Sequence, residues 1–355
     1  MPRIVAIAPE YAGSGAGQMA EAIIRHWLGI GGWRIDILRR SPTMPVPVAL
    51  TDAGARVVDR IAPQDYALAL VVGVGAVGVV QSIAAKLAPR LPCLLWVHEG
   101  ETPLWTSNLK VADWLRLFQA FAAIVFQTPW QRDQVFASFL GRIPPARISV
   151  VPNGLPPFDE AALRPARASQ GRRRVVFVGG VYPRKRPEDL ALAVEALGLP
   201  ELECVFIGST AHLGTCALRL RQLLQAHPER FRLLGELPRE ATLAHVAGAD
   251  ILCLPSSSES QPLALLEAAT LGTPICATDL PPYAGIWRHG HDCLLHRVGD
   301  IRTLAANMLL ALRSDPARVS LAQAARRTAQ RFDFARFADT FTRTAEAAMR
   351  VSRGR

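Results

Sequence analysis

Short apolar runs alternate with helix-length segments along the chain, and turn-forming residues mark most junctions. In the first half the runs Arg3–Ala8, Arg34–Leu38, Leu68–Val72, Cys93–Val97, Ala123–Phe126 and Ile148–Val151 predict strands. Between them, apolar positions recur at helical spacing, as over Gln18–Leu28 and Ala112–Phe121. The alternation stops at Leu155–Arg174, a polar stretch without apolar period that reads as an interdomain linker. It restarts at Val175–Gly179, Glu203–Gly208, Phe231–Leu234, Ile251–Leu254 and Ile275–Ala277. Helices then run from about Ile301 to the C-terminus, with a break near Ser314–Pro316. Alternation of this kind builds parallel sheets with helices on their faces. The pattern predicts an α/β chain of two Rossmann-like, doubly wound domains, residues 1–158 and 172–332.

Length and composition agree with two domains. The chain has 355 residues, half of them apolar, which is enough for two cores. No apolar run reaches the ~18–20 residues of a spanning helix; the longest, Ala67–Val80, is Gly-rich. The chain opens directly on a strand, so no signal peptide is expected. Six scattered cysteines (Cys93, Cys204, Cys216, Cys253, Cys276, Cys293) form no CxxC pair and read as reduced core residues of a cytosolic protein. The net charge is +10, and only three of the 40 basic residues are lysines: Lys86, Lys110 and Lys185. Where arginine fills nearly every generic cationic position, a retained lysine draws attention. Residues 161–187 hold eight basic side chains and no acid. Such charge suits a phosphorylated ligand or an anionic membrane surface. Nucleic acid is not expected, because no base-stacking aromatic motif accompanies the charge.

The densest chemistry lies in residues 254–276, LPSSSESQPLALLEAATLGTPIC. Pro262 suits the opening of a helix, and free N–H groups around Ser260 and Gln261 make an anion site. Glu267 follows five residues later, about 7.5 Å along the helix, which is roughly the reach from a diphosphate to its ribose. Its neighbours are apolar, so its carboxylate needs a partner or a ligand. Glu259 stands on the loop before the helix, on the other side of the same phosphate position. The plainer reading is a helix carrying one solvated glutamate.

Pro255, Ser256, Glu259, Glu267, Ala268, Gly272 and Pro274 match a P-S-x-x-E loop followed by an E-A-x-x-x-G-x-P helix end. The segment thereby resembles the signature of the retaining GT-B glycosyltransferases of family 4, the glycosyl transferases group 1. The family's Gly-Phe-Gly after the first glutamate is replaced here by Ser260, Gln261 and Pro262. Phe177–Arg186 resembles the family's V-G-R-L-x-x-x-K-G loop, with Lys185 at the lysine and Gly180 where the family has an arginine. The alternative for this stretch is a solvated basic turn. Val151–Gly154 matches the family's P-N-G, read as a structural turn.

Two further motifs follow first-domain strands. Tyr11–Gln18 is Gly-rich, with Gly13, Gly15 and Gly17 able to bring backbone N–H groups close to a phosphate or sugar. An NAD-type fingerprint is not met: the loop is G-x-G-x-G, although Asp36 lies on the second strand. His98, Glu99, Gly100 and Glu101 end the Cys93–Val97 strand, where the family often has a histidine near the donor sugar. Glu99 or Glu101 could hold an acceptor. Trp105, Trp114, Phe118 and Phe121, with Lys110 and Arg116, form a partly amphipathic segment, read as core in preference to a lipid-facing surface.

The resemblance implies a GT-B fold with the donor in the interdomain cleft and a final helix, about 333–355, that packs back on the first domain. Phe332, Phe334, Phe337 and Phe341 are the apolar seam for that crossing. It implies a retaining hexosyltransferase that moves a sugar from a UDP- or GDP-linked donor to the hydroxyl of a glycan or lipid-linked glycan, in bacterial surface polysaccharide or glycolipid synthesis. Lys185 is then expected on the diphosphate, with Arg184 or Arg186 standing in for the family arginine absent at Gly180, Glu267 on the ribose, Glu259 on the donor sugar hydroxyls and His98 on the sugar. Backbone at Ser260, Gln261, Gly15 and Gly17 would complete the cradle. No cofactor and no metal are expected, and the chain would work in the cytoplasm, peripheral to the inner membrane. Two alternatives stay open: a GT-B sugar-nucleotide epimerase, and a non-catalytic GT-B binding or scaffold protein.

Overall fold

A computed structural model describes residues 1–8, 14–41, 43–166, 168, 171–210 and 215–351. The chain divides into two compact units, residues 1–156 with 334–355, and residues 157–333.

Unit 1 runs β1 (Arg3–Ile7), α1 (Gly15–Ile30), β2 (Arg34–Leu38), α2 (Val48–Asp52), β3 (Arg56–Val58), β4 (Leu68–Val72), α3 (Val77–Lys86), β5 (Cys93–Val97), α4 (Thr102–Thr106), α5 (Val111–Ala120), β6 (Ala123–Phe126), α6 (Ala137–Leu140) and β7 (Ile148–Val150). Its sheet is parallel throughout, in the order β3-β2-β1-β4-β5-β6-β7. Every residue of β4 and β5 is buried, which is why those segments read as unbroken apolar runs rather than as alternating ones.

Unit 2 runs β8 (Arg173–Val178), α7 (Pro187–Leu197), β9 (Leu202–Ile207), α8 (Thr215–Ala226), β10 (Phe231–Gly235), α9 (Arg239–Ala247), β11 (Ile251–Leu254), α10 (Leu263–Leu271), β12 (Ile275–Thr278), β13 (Leu294–His296), α11 (Ile301–Arg313) and α12 (Asp315–Ala329). Its sheet is also parallel, in the order β10-β9-β8-β11-β12-β13. The last helix, α13 (Phe334–Val351), belongs to unit 1. There Phe337 and Phe341 lie 5.6 and 4.4 Å from the Trp96 ring, and Trp27 Nε1 donates to Thr342 Oγ1 at 2.8 Å.

Several expectations need correction. The short strands β3 and β13 carry three residues each, too few for a period to show. The segment expected as a linker is bound to unit 2: Ala166 N donates to Ala244 O at 2.8 Å, Arg239 Nη1 to Pro157 O at 3.2 Å, and Arg326 pairs with Glu160 at 2.7 Å. Its last two residues, Arg173 and Arg174, already lie in β8. The basic cluster is not a solvated patch either. Arg173 pairs with Asp250, Arg174 with buried Glu203 and Arg186 with Asp189, acids that lie outside residues 161–187 and were invisible to a local charge count. Trp114, Phe118 and Phe121 are core residues of unit 1, and the side chain of Trp105 lies outside the described residues. Five of the six cysteines are buried free thiols, and the side chain of Cys216 lies outside the described residues.

Candidate functional site

In a doubly wound sheet the strand order reverses at one point, and the loops leaving the carboxyl ends of the two strands there diverge to leave room for a ligand. In unit 2 that point lies between neighbours β8 and β11. The loop after β8 carries Lys185, and the loop after β11 carries Glu259. Ser257 N donates to Arg184 O at 2.8 Å and its Oγ to the same oxygen at 3.2 Å, so the two loops are tied together.

Lys185 Nζ reaches Glu259 Oε1 at 2.5 Å, and Ser256 Oγ donates to the same oxygen at 2.7 Å. Arg184 Nη1 lies 3.5 Å from Glu259 Oε2, donates to Ser258 O, and its Nη2 donates to Tyr182 OH at 2.9 Å. Burial acts to raise the Glu259 pKa, but Lys185, Arg184 and the hydrogen bonds from Lys185 and Ser256 together hold it below its ordinary value. Two cations facing one carboxylate leave a surplus positive charge. Arg186 takes no part: it sits in the left-handed region at φ 48° and pairs with Asp189 at 2.6 Å.

Ser260 and Gln261 are buried beside Glu259. Pro262 is the residue before α10, not its first helical residue, and its own side chain offers no cap to that helix. Its leading N–H groups therefore present partial positive charge beside the cations. Glu267, buried within α10, has the partner its surroundings require: Arg239 Nε at 3.1 Å. Burial dominates and raises the Glu267 pKa, with Arg239 opposing it. The Arg239 guanidinium also lies 5.4 Å from the centre of the Phe158 ring. Nothing in the spacing of the sequence pointed to Arg239, which comes from the start of a different helix.

Unit 1 holds a separate polar cluster after β5. His98 Nδ1 faces Gln127 Nε2 at 2.5 Å, and that nitrogen also donates to Asn153 Oδ1 at 3.2 Å. Because an amide NH2 only donates, Nδ1 accepts and the ring hydrogen belongs on Nε2. Nε2 is buried with no hydrogen-bond partner among the described residues, and burial pushes the His98 pKa down to about 3. His98 is thus a neutral donor in want of an acceptor. Gln127 carried no motif; Asn153, read as a turn residue, is buried and helps hold Gln127.

Two unit 1 expectations are corrected. The Glu99 carboxylate is committed to backbone: it accepts from Val74 N at 2.8 Å, Gly75 N at 2.7 Å and His98 N at 3.2 Å, so it fills the loop after β4 instead of holding an acceptor. The Gly17 N–H is taken by the capping Ser14 Oγ at 3.0 Å, so it does not join a cradle; Gly15 is exposed at the first position of α1. Gly13 lies outside the described residues. Asp36 is buried among Arg3, Arg56 and Tyr66. Among the described residues, no cluster of His, Cys, Asp and Glu could hold a metal ion. Among them also, no helix is long and apolar enough to cross a membrane.

Comparison with known proteins places these features in context. A family model described as glycosyl transferases group 1 matches residues 159–328. The chain is 29% identical over 226 residues to a D-inositol 3-phosphate glycosyltransferase of Mycobacterium sp. (strain JLS), covering 56% of this chain and 50% of that protein. It is 26% identical over 236 residues to an Escherichia coli UDP-Gal:alpha-D-GlcNAc-diphosphoundecaprenol alpha-1,3-galactosyltransferase, covering 61% of this chain and 57% of that one. The chain thus spans about half the length of the curated relatives it matches. Among solved structures, HepE of Anabaena in complex with UDP and glucose superposes with a TM-score of 0.78 at 16% identity, covering 97% of this chain and 99% of that one. A likeness at this identity establishes the fold: two Rossmann-like α/β units of the GT-B class.

Proposed function

We propose that this chain, whose residues 159–328 belong to the glycosyl transferases group 1 family, transfers a sugar from a nucleotide-sugar donor to an acceptor hydroxyl with retention of anomeric configuration. The observation that carries the reading is the convergence of Lys185 and Arg184 on Glu259 beside the start of α10. An anion with two phosphates would meet both cations and the helix N-terminus. Glu267 then accepts from the ribose hydroxyls, with Arg239 holding its carboxylate in place. Glu259 accepts from donor sugar hydroxyls, and Ser260 and Gln261 line the phosphate position. In unit 1, the Nε2–H of His98 is a donor suited to a sugar hydroxyl.

In the proposed reaction the acceptor oxygen bonds to the anomeric carbon on the face from which the nucleotide departs. The bond between that carbon and the phosphate oxygen breaks with its electron pair on oxygen. The departing phosphate takes the acceptor proton, so no protein base is required. Lys185 and Arg184 stabilise charge that grows on the diphosphate as it leaves, a contribution that lowers the barrier directly. The relatives' names include a phosphorylated inositol and a diphosphoundecaprenol-linked sugar, which supports a phosphorylated or lipid-linked glycan acceptor. Such an acceptor would bring the chain to the cytoplasmic surface of an anionic membrane, in surface polysaccharide or glycolipid synthesis.

The test is calorimetric titration of the full chain with UDP-, GDP-, ADP- and dTDP-sugars, with Lys185→Ala and Glu267→Ala alongside. One nucleotide class is expected to bind, at least tenfold more weakly in both variants. Absence of binding to all four in folded wild-type protein would overturn the donor reading and favour a non-catalytic relative.

A further inference from the structure

We infer that Tyr182 is a positioning residue that holds Arg184 as a second diphosphate-binding cation, in space that Gly180 leaves open; this rests on the donor reading above. A Cβ built on Gly180 would meet Tyr182 Cε1 at 2.5 Å and Cδ1 at 2.8 Å. Those are atoms of a rigid ring, so the Tyr182 ring and a side chain at position 180 exclude one another. The ring occupies that volume and turns its hydroxyl to Arg184 Nη2, at 2.9 Å. The guanidinium carbon lies 5.4 Å from the ring centre, within the range of a cation–π contact.

The other end of the fork is fixed as well. Arg184 Nη1 donates to Ser258 O and lies 3.5 Å from Glu259 Oε2. Its own carbonyl accepts from Ser257 N and Oγ. The guanidinium is therefore held largely by neutral acceptors, while the single carboxylate it shares is already bonded to Lys185. A planar cation anchored in this way keeps its charge for an incoming anion and loses little entropy when that anion binds. Arg186, the other arginine of the loop, is neutralised by Asp189. A loop without an arginine at position 180 thus delivers a guanidinium from position 184, and Tyr182 is what sets its direction.

The experiment titrates the full chain with UDP, GDP, ADP and dTDP, then follows the tightest of them and its parent nucleoside through three variants. Tyr182→Phe keeps the ring and loses the hydroxyl. It should weaken the nucleoside diphosphate about three- to tenfold and leave the nucleoside unchanged. Arg184→Gln should weaken the diphosphate about ten- to fiftyfold, and adding Tyr182→Phe to it should cost less than twofold more, because the hydroxyl acts through the guanidinium. If Arg184→Gln does not fold, Arg184→Lys, which keeps the charge without the fork, should be equally insensitive to Tyr182→Phe. The inference is overturned if Tyr182→Phe binds the diphosphate as wild type does, weakens the nucleoside equally, or multiplies its full factor onto the Arg184 variant. Wild type that binds none of the four overturns the donor reading and this inference with it; wild type that binds while Tyr182→Phe has no effect overturns this inference alone.

Discussion

Replacing Lys185 by Met should destabilise unit 2, and replacing Glu259 by Gln in the same chain should restore most of the loss without restoring nucleotide binding. Glu259 is 7% exposed, and its Oε1 is neutralised by Lys185 Nζ at 2.5 Å. Removing one partner of a buried ion pair costs about 3–5 kcal/mol, because the remaining charge stays buried. Here Arg184 lies 3.5 Å from the other oxygen and Ser256 still donates to Oε1, so the cost should fall at about 1.5–3 kcal/mol. For a unit of this size that is a melting shift of about 3–12 °C. The double variant has no uncompensated carboxylate, and the Gln oxygen can still accept from Ser256 Oγ. Scanning calorimetry reads the stability of all three proteins, and titration with the tightest nucleoside diphosphate reads the site. If Lys185→Met melts with wild type, the pair is not neutralising a buried charge. If the double variant melts as low as the single one, the loss is a packing effect and the electrostatic argument fails.

Gly208→Ala should cost about 2–4 kcal/mol and weaken nucleotide binding, because its Cβ would lie 2.0 Å from Gly179 O at a φ of 150° and push the Lys185 loop away; an unchanged melting temperature would refute this. His98→Gln removes the Nε2–H proposed to serve a sugar hydroxyl, so it should leave the affinity for free nucleotide unaltered and weaken a sugar-bearing substrate about three- to tenfold. Because His98 is held near a pKa of about 3, its charge should contribute no inflection to a pH–rate profile between pH 5 and 8, and a His98-dependent step in that window would contradict the assignment. The two buried glutamates should respond to pH with opposite signs. Glu259, with a depressed pKa, adds stability that is present above the ordinary glutamate value and lost as pH falls through its folded value. Glu267, with a raised pKa, costs stability as pH rises from the ordinary value through its folded value. Melting curves should therefore show Glu259→Gln losing ground on wild type as pH rises toward 4.5, and Glu267→Gln gaining ground as pH rises from 4.5 to 7.

Most of the fold was legible because parallel strands buried on both faces leave short apolar runs that little else produces. β2, β4, β5, β6 and β11 have the bounds their runs predict. What escaped was set by contacts distant in sequence. The segment 155–172 carries no apolar period, yet Ala166 and Glu160 bind it to unit 2 through Ala244 and Arg326. The arginines at 173, 174 and 186 looked like a charged surface, but their acids stand at 250, 203 and 189. At the candidate site, the scarcity of lysine and the family resemblance singled out Lys185, and helix spacing together with that resemblance singled out Glu259 and Glu267. Arg239, which neutralises Glu267 from 28 residues away, and Tyr182, whose hydroxyl turns Arg184, required the fold.

The two sheets offer the same architectural opportunity and treat it differently. Beside the strand-order reversal of unit 1, the amides of Val74 and Gly75 on the loop after β4 are already satisfied by an internal carboxylate, Glu99. A Cβ on Gly73 or Gly75 would meet that carboxylate at 2.7 or 2.9 Å, so the loop closes tightly around it. An anionic ligand entering there would have to displace a covalently tethered one. At the reversal of unit 2 the internal carboxylate, Glu259, is held by side-chain cations and a hydroxyl, and α10 starts close behind it at Leu263. The two cations outnumber it. A diphosphate is therefore favoured in unit 2 by charge and by backbone, and disfavoured at the β4 loop of unit 1 by the same two considerations. The proposed donor phosphates are therefore assigned to unit 2. Unit 1, with a neutral His98 and a loop already plugged by Glu99, is suited to hydroxyl-bearing parts of the substrates.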